Sequence, residues 1–141
     1  MKITTRQFGE IEIDETKVIN MPSGIPGFLD KKRYTVLQKE EAAPFLFFQC
    51  VDDPDLSFII LDPQKVMSDY CVEEKDIEKV AGWDFNNDEI TLFVIITIPD
   101  GNPEQATANC LAPLAINTKR REGLQLILQN TSYSFQHPLV N

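Results

Sequence analysis

The stretch "ITLFVIITI", residues 90–98, decides the fold. From Leu92 to Ile98 it is apolar except for Thr97, and its β-branched and aromatic side chains favour extended backbone. A strand without polar alternation has no wet face, so this one is expected to lie centrally, covered on both sides. Outward from it, "KVIN" (17–20), "YTVLQ" (34–38), "FLFFQC" (45–50) and "LSFIIL" (56–61) come before, and "ANCLAPLAIN" (108–117) and "GLQLILQN" (123–130) come after. All are short, apolar and bounded by Gly, Pro, Asn or Asp, the rhythm of an all-β chain. "KITTRQFGEIEID" (2–14) reads as two strands or one bent strand, with Gly9 at the bend; its alternating "EIEID" has one wet face. The expectation is an all-β, small antiparallel β-barrel-like fold of about eight strands, one domain over residues 1–141.

One segment departs from that rhythm. "EEKDIEKVAGW" (73–83) sets Ile77, Val80 and Ala81 at helical spacing, with acids in its first turn and Gly82 where a helix ends, which predicts a short helix over 73–81. A second helical turn is expected in "DPQKV" (62–66), where Asp62 caps and Pro63 takes the first helical position. "PDGNP" (99–103) reads as a loop.

The chain carries a net charge of −9, and it is unevenly spread. Residues 40–104 hold sixteen acids against three bases, a net of −13, and the remainder carries a net of +4. Such a field repels phosphate backbones and attracts basic partners, so direct nucleic-acid binding is not expected. "KKR" (31–33) and "KRR" (119–121) are expected to be solvated turns. No signal-peptide pattern and no apolar run of membrane-spanning length occur, so a cytoplasmic address without membrane contact is expected. Cys50, Cys71 and Cys110 are odd in number and widely spaced, as reduced fillers of strand positions would be. His137 stands alone near the end, which leaves no pair for a zinc site.

"DFNNDEITLF" (84–93) places Asp84, Asn86 and Asp88 at positions one, three and five of a calcium loop, but Glu89 stands where glycine is required and Ile95 where the bidentate glutamate belongs. "GIPG" lacks phosphate-loop spacing, no GxSxG elbow exists, and neither Cys50 nor Cys110 follows an activating lysine or histidine. "DDPD" (52–55) reads as a turn whose aspartates cap backbone amides. No cofactor is implied and the chain is not expected to be an enzyme; the alternative kept open is a small β-barrel ligand-binding protein or hydrolase using the Asp52–Asp55 loop.

"FGEIEID" (8–14), "GIPGFLDKKRY" (24–34), "PFLFFQCVDDPDLSFIILDP" (44–63), "SDY" (68–70) and "ATANCLAPLAINTKRREGLQLIL" (106–128), in this order, resemble the FliW family, the bacterial flagellar assembly factors. The resemblance covers nearly the whole chain. It implies a cytoplasmic β-barrel-like protein without enzymatic activity that binds flagellin and the translational repressor CsrA. On that pattern, protein freed when flagellin is exported engages CsrA away from its RNA-contacting surface and relieves repression of flagellin synthesis allosterically. Cys110 and Ala115 depart from the aliphatic residues expected there, as changes of core packing.

Candidate binding residues follow from charge and exposure. For CsrA they are Asp52, Asp53 and Asp55 in one loop, with Asp69, Tyr70, Glu73 and Glu74 as a second patch. For flagellin they are Phe47 or Phe48, which alternation sends to opposite faces, together with an unpaired strand edge. In "MPSGIPGFLD" (21–30), two prolines and two glycines stiffen a loop that presents Phe28, either as a binding anchor or as a plug over one barrel end. A monomer is expected.

Overall fold

The computed structural model describes residues 1–129 and 131–139, with the exception of the Val80 side chain. The strands are β1 (Lys2–Thr5), β2 (Gly9–Glu12), β3 (Ile19–Asn20), β4 (Arg33–Gln38), β5 (Leu46–Cys50), β6 (Ser57–Leu61), β7 (Ile90–Thr97), β8 (Thr107–Ala108), β9 (Leu114–Asn117), β10 (Glu122–Gln125) and β11 (His137–Pro138), with one α-helix, α1 (Glu74–Ala81), between β6 and β7. Seven of them close a barrel in the order β7–β6–β5–β4–β3–β10–β9, with β9 returning to β7. The all-β barrel expected from the spacing is therefore the one observed.

β7 is long enough to serve three partners. Ile90–Phe93 pair with β9, Val94–Ile96 pair with β6, and Ile96 and Thr97 also pair with β8, which β11 flanks. Both faces of β7 are packed, as its unbroken apolar run requires. Phe93 and Ile95 face the barrel interior with Tyr34, Phe48, Cys50, Ile60, Leu114 and Ile116. Leu92, Val94 and Ile96 face outward into a second core, formed with Leu61, Tyr70, Ile77, Trp83 and Leu126. Helix α1 closes that outer core through Ile77, and Gly82 ends the helix in the left-handed conformation at φ 67°. Asp62 caps the turn Pro63–Lys65 by accepting from the Gln64 amide, as expected.

The β1–β2 hairpin forms its own sheet and lies against the outside of the barrel. Ile3, Ile13 and Val18 pack there on Val51 and Leu37, and the Phe8 ring meets Phe47 edge-on at 5.5 Å. One seam departs from the antiparallel expectation: β3 and β10 run parallel through Asn20 and Glu122, and the Asn20 amide donates to the Arg121 carbonyl at 2.9 Å. The cysteines divide. Cys50 and Cys110 fill core positions, whereas Cys71 is exposed, because the 68–73 segment passes over the surface before α1. Cys110 and Ala115 are fully buried in the outer core.

Candidate functional site

Two loops meet at one end of the barrel. The loop between β3 and β4 is closed at its base by the Met21 amide donating to the Lys32 carbonyl at 2.7 Å. Inside it the Phe28 amide donates to Ile25 O at 2.7 Å, and Gly24 and Gly27 take positive φ values of 66° and 91°. The loop between β5 and β6 is joined to it through Arg33, whose guanidinium grips both carboxylate oxygens of Asp52, with Nε to Oδ2 at 3.0 Å. The Val51 amide also donates to the Arg33 carbonyl.

Phe28 lies over the end of the barrel interior with part of its ring open to solvent. Its ring stands edge-on to Phe58 at 5.6 Å, at the end of an aromatic row that continues through Tyr34, stacked on Phe48 at 4.6 Å. It caps the interior and still leaves 40% of itself exposed. Beside it Leu29 is 59% exposed, a residue that sequence reasoning passed over. The signal was its place next to Phe28 in a stiffened loop.

Three other expected contact residues are corrected. Phe47 and Phe48 are both buried: Phe48 fills the barrel, and Phe47 lies under the hairpin against Phe8. Alternation sent them to opposite faces, but both faces of β5 are covered. Tyr70 is also core, with its hydroxyl donating to the Cys110 carbonyl at 2.8 Å and its ring stacked on Tyr133 at 4.6 Å. Burial pushes that hydroxyl's pKa up. None of the three is available to a docking partner.

The carboxylates separate into two places. Asp53 accepts from the Asp55 amide at 3.0 Å, the capped turn expected of "DDPD", and Asp55 is exposed. Asp69, Glu73 and Glu74 are exposed beyond the other end of β6, roughly 15 Å away along the strand. Basic residues fold in among the acids. Besides Arg33 on Asp52, the Arg120 guanidinium pairs with Asp88 at 3.0 Å, and Lys119 Nζ donates to the Asn87 carbonyl at 2.8 Å. "KRR" is the exposed turn expected of it, and Lys32 and Arg33 of "KKR" are exposed as well, so these side chains meet their partners at the surface. The acidic middle of the sequence is not one unbroken acidic face, because charge counted along a chain says nothing of what folds back on it.

Hydrolytic chemistry finds little here. The hydrogen bond and charge of Arg33 hold the Asp52 carboxyl below the usual carboxylate range, opposite to what a general acid requires. Burial raises the Cys50 and Cys110 thiols, away from nucleophilic thiolate. Among the described residues no three of His, Cys, Asp and Glu gather as a metal site, and no helix is long and apolar enough to cross a membrane. A cleft of about 850 Å³ opens at the barrel mouth remote from Asp52, with Ile19, Val36, Phe93 and Ile116 in its wall and Lys17 and Arg121 at its rim.

The Arg33–Asp52 pair yields a first prediction. A carboxylate whose folded pKa is depressed contributes stability above its unfolded pKa and loses that contribution as the pH falls through the folded value. Both side chains are about half exposed, so Asp52→Asn is expected to cost only about 0.5 kcal/mol at pH 7. The cost should shrink as the pH drops below about 4. Thermal melts of both proteins at pH 7 and pH 3 measure this; an equal gap at the two pH values contradicts it.

The family profile described as FliW protein matches residues 2–139. The chain is 39% identical over 142 residues to a flagellar assembly factor FliW of Natranaerobius thermophilus, covering 100% of this chain and 93% of that one. It is 35% identical to the protein of the same name from Geobacter sulfurreducens, covering 100% of this chain and 87% of that one. A solved structure titled as the crystal structure of the flagellar assembly factor FliW superposes with a TM-score of 0.87 at 35% identity, covering 100% of this chain and 98% of the other.

Proposed function

Since this chain belongs to the FliW family of flagellar assembly factors, we propose that it acts in the cytoplasm as a non-enzymatic, single-domain and monomeric partner-switching regulator. It binds flagellin, and when flagellin has been exported it binds the repressor CsrA and antagonises it allosterically, which restores flagellin synthesis. The observation that supports this reading is the barrel end where exposed Phe28 and Leu29 share a platform with the Asp52–Asp55 loop. A stiff loop carrying apolar side chains loses little entropy on docking. Acids on its flank steer a basic, RNA-binding partner toward it and oppose the phosphate backbone that partner would otherwise hold. Asp69, Glu73 and Glu74 supply a second acidic stretch at a distance, so CsrA contact is assigned first to Asp53 and Asp55.

The test is competition. Protein mixed with CsrA should release it as flagellin is titrated, and retention of CsrA at saturating flagellin would refute the switch. Asp55→Lys should weaken CsrA binding several-fold at about 0.05 M salt and much less at about 0.5 M, because rim charges act through screened attraction. Equal loss at both salt concentrations would remove Asp55 from the interface.

A further inference from the structure

One buried side chain holds the Asp53 and Asp55 loop from beneath. Gln49, the penultimate residue of β5, has no exposed surface. Its Nε2 donates to the Cys50 carbonyl at 3.0 Å and to the Asp53 and Leu56 carbonyls, each at 3.1 Å. These three carbonyls stand at the entry, the middle and the exit of the loop between β5 and β6, and they converge on a single nitrogen. Two of them already have a backbone donor: the Cys50 amide gives to Leu56 O at 2.9 Å, and the Leu56 amide to Asp53 O at 3.2 Å. Gln49 is therefore not needed merely to satisfy them. What it adds is a fixed separation between them.

The amide can face only one way. Turned end for end, it would set Oε1 against three carbonyl oxygens, so the nitrogen must point to the loop. Oε1 is left buried with no partner among the described residues, and the Ser57 hydroxyl, opposite in the β5–β6 ladder, is in the same condition. A buried acceptor without a partner destabilises a fold. An apolar side chain of equal size would avoid that loss, but it would release the loop.

We infer that Gln49 is a positioning residue for the CsrA contact: by tying the carbonyls of Cys50, Asp53 and Leu56 to one atom, it fixes where Asp53 and Asp55 stand before the partner arrives. This deepens the CsrA reading and rests on it. Asp52 takes no such part, because its carboxylate is already held by Arg33. Acids set on a shaped loop lose little freedom on docking, so a side chain that never touches the partner still governs its affinity.

Gln49→Met keeps the volume and removes the donors. It should weaken CsrA binding about tenfold at about 0.05 M salt and leave flagellin binding within about twofold. A double-mutant cycle separates positioning from general support of the fold. Asp55→Asn should lose about fourfold on its own and less than about twofold in the Gln49→Met background, because an aspartate no longer held in place has little left to lose. Full additivity in the cycle, or equal weakening of flagellin and CsrA, overturns the assignment. So does a Gln49→Met protein that binds CsrA as tightly as the wild type, which leaves the partner reading standing. In the wild type the Gln49 side-chain amide hydrogens should exchange at least about tenfold more slowly than those of the exposed Gln64. Equally fast exchange refutes the positioning role whatever the folding of the methionine variant, and a wild type that takes up no CsrA brings down both readings.

Discussion

Phe48→Ala is expected to destabilise the protein by about 3–5 kcal/mol, the usual cost of deleting a fully buried aromatic ring. Phe48 has no exposed surface, stacks on Tyr34 with ring planes 3° apart, and stands on β5 between β4 and β6. The Tyr34 hydroxyl has no partner among the described residues, and burial pushes its pKa up to about 12. The stacked pair therefore holds its place by packing alone at this depth, and the space left by Phe48 is flanked by strands that cannot collapse without breaking the closed ladder. Against a stability of about 5–15 kcal/mol for a chain of this kind, the melting point should fall by roughly 10–15 °C. A shift of only a degree or two would show that the interior repacks as a soft core.

Gly24→Ala is expected to cost about 3 kcal/mol and to disturb the loop that carries Phe28 and Leu29. An added Cβ would stand 2.7 Å from Leu29 Cα and 2.8 Å from the Leu29 carbonyl oxygen, both backbone atoms that cannot swing aside, and φ at this position is 66°. Left-handed strain and a backbone clash add in the same direction. Gly27, at φ 91° but with open space around it, provides the control, since its alanine variant bears the strain alone. Melting curves of the two variants should differ, with Gly24→Ala the lower. In solution Gly24→Ala should also alter the Phe28 ring contacts with Phe58, visible as aromatic chemical-shift changes. Coincident melts would mean that the loop moves away from Leu29 at little cost.

Much of the architecture was legible because its causes are local. The run 92–98 announced a strand covered twice, although Ile98 itself lies past the strand end and is exposed. Ile77 and Gly82 announced α1, and Asp62 with Pro63 announced a capped turn. The candidate site was less legible, because its determinants are distant in sequence. Phe47 would face solvent but for a hairpin formed some forty residues earlier. Tyr70 is core because Tyr133 arrives from the other end of the chain. Asp52 and Asp88 are answered by Arg33 and Arg120, which no tally by segment reveals. In "LIL" (126–128) alternation turns either Ile127 or both leucines outward, and which of the two depends on the register with Leu111 and Pro113.

The parallel seam of Asn20 with Glu122 bears on how the chain is made. On the ribosome the β1–β2 hairpin, joining Lys2 to Glu12, is free to form almost at once, and β4, β5 and β6 are free to zip together in order. The ring nevertheless stays open until residue 122 has emerged. Throughout synthesis, then, the nascent sheet carries a raw margin along β3, and only the last stretch of translation seals it.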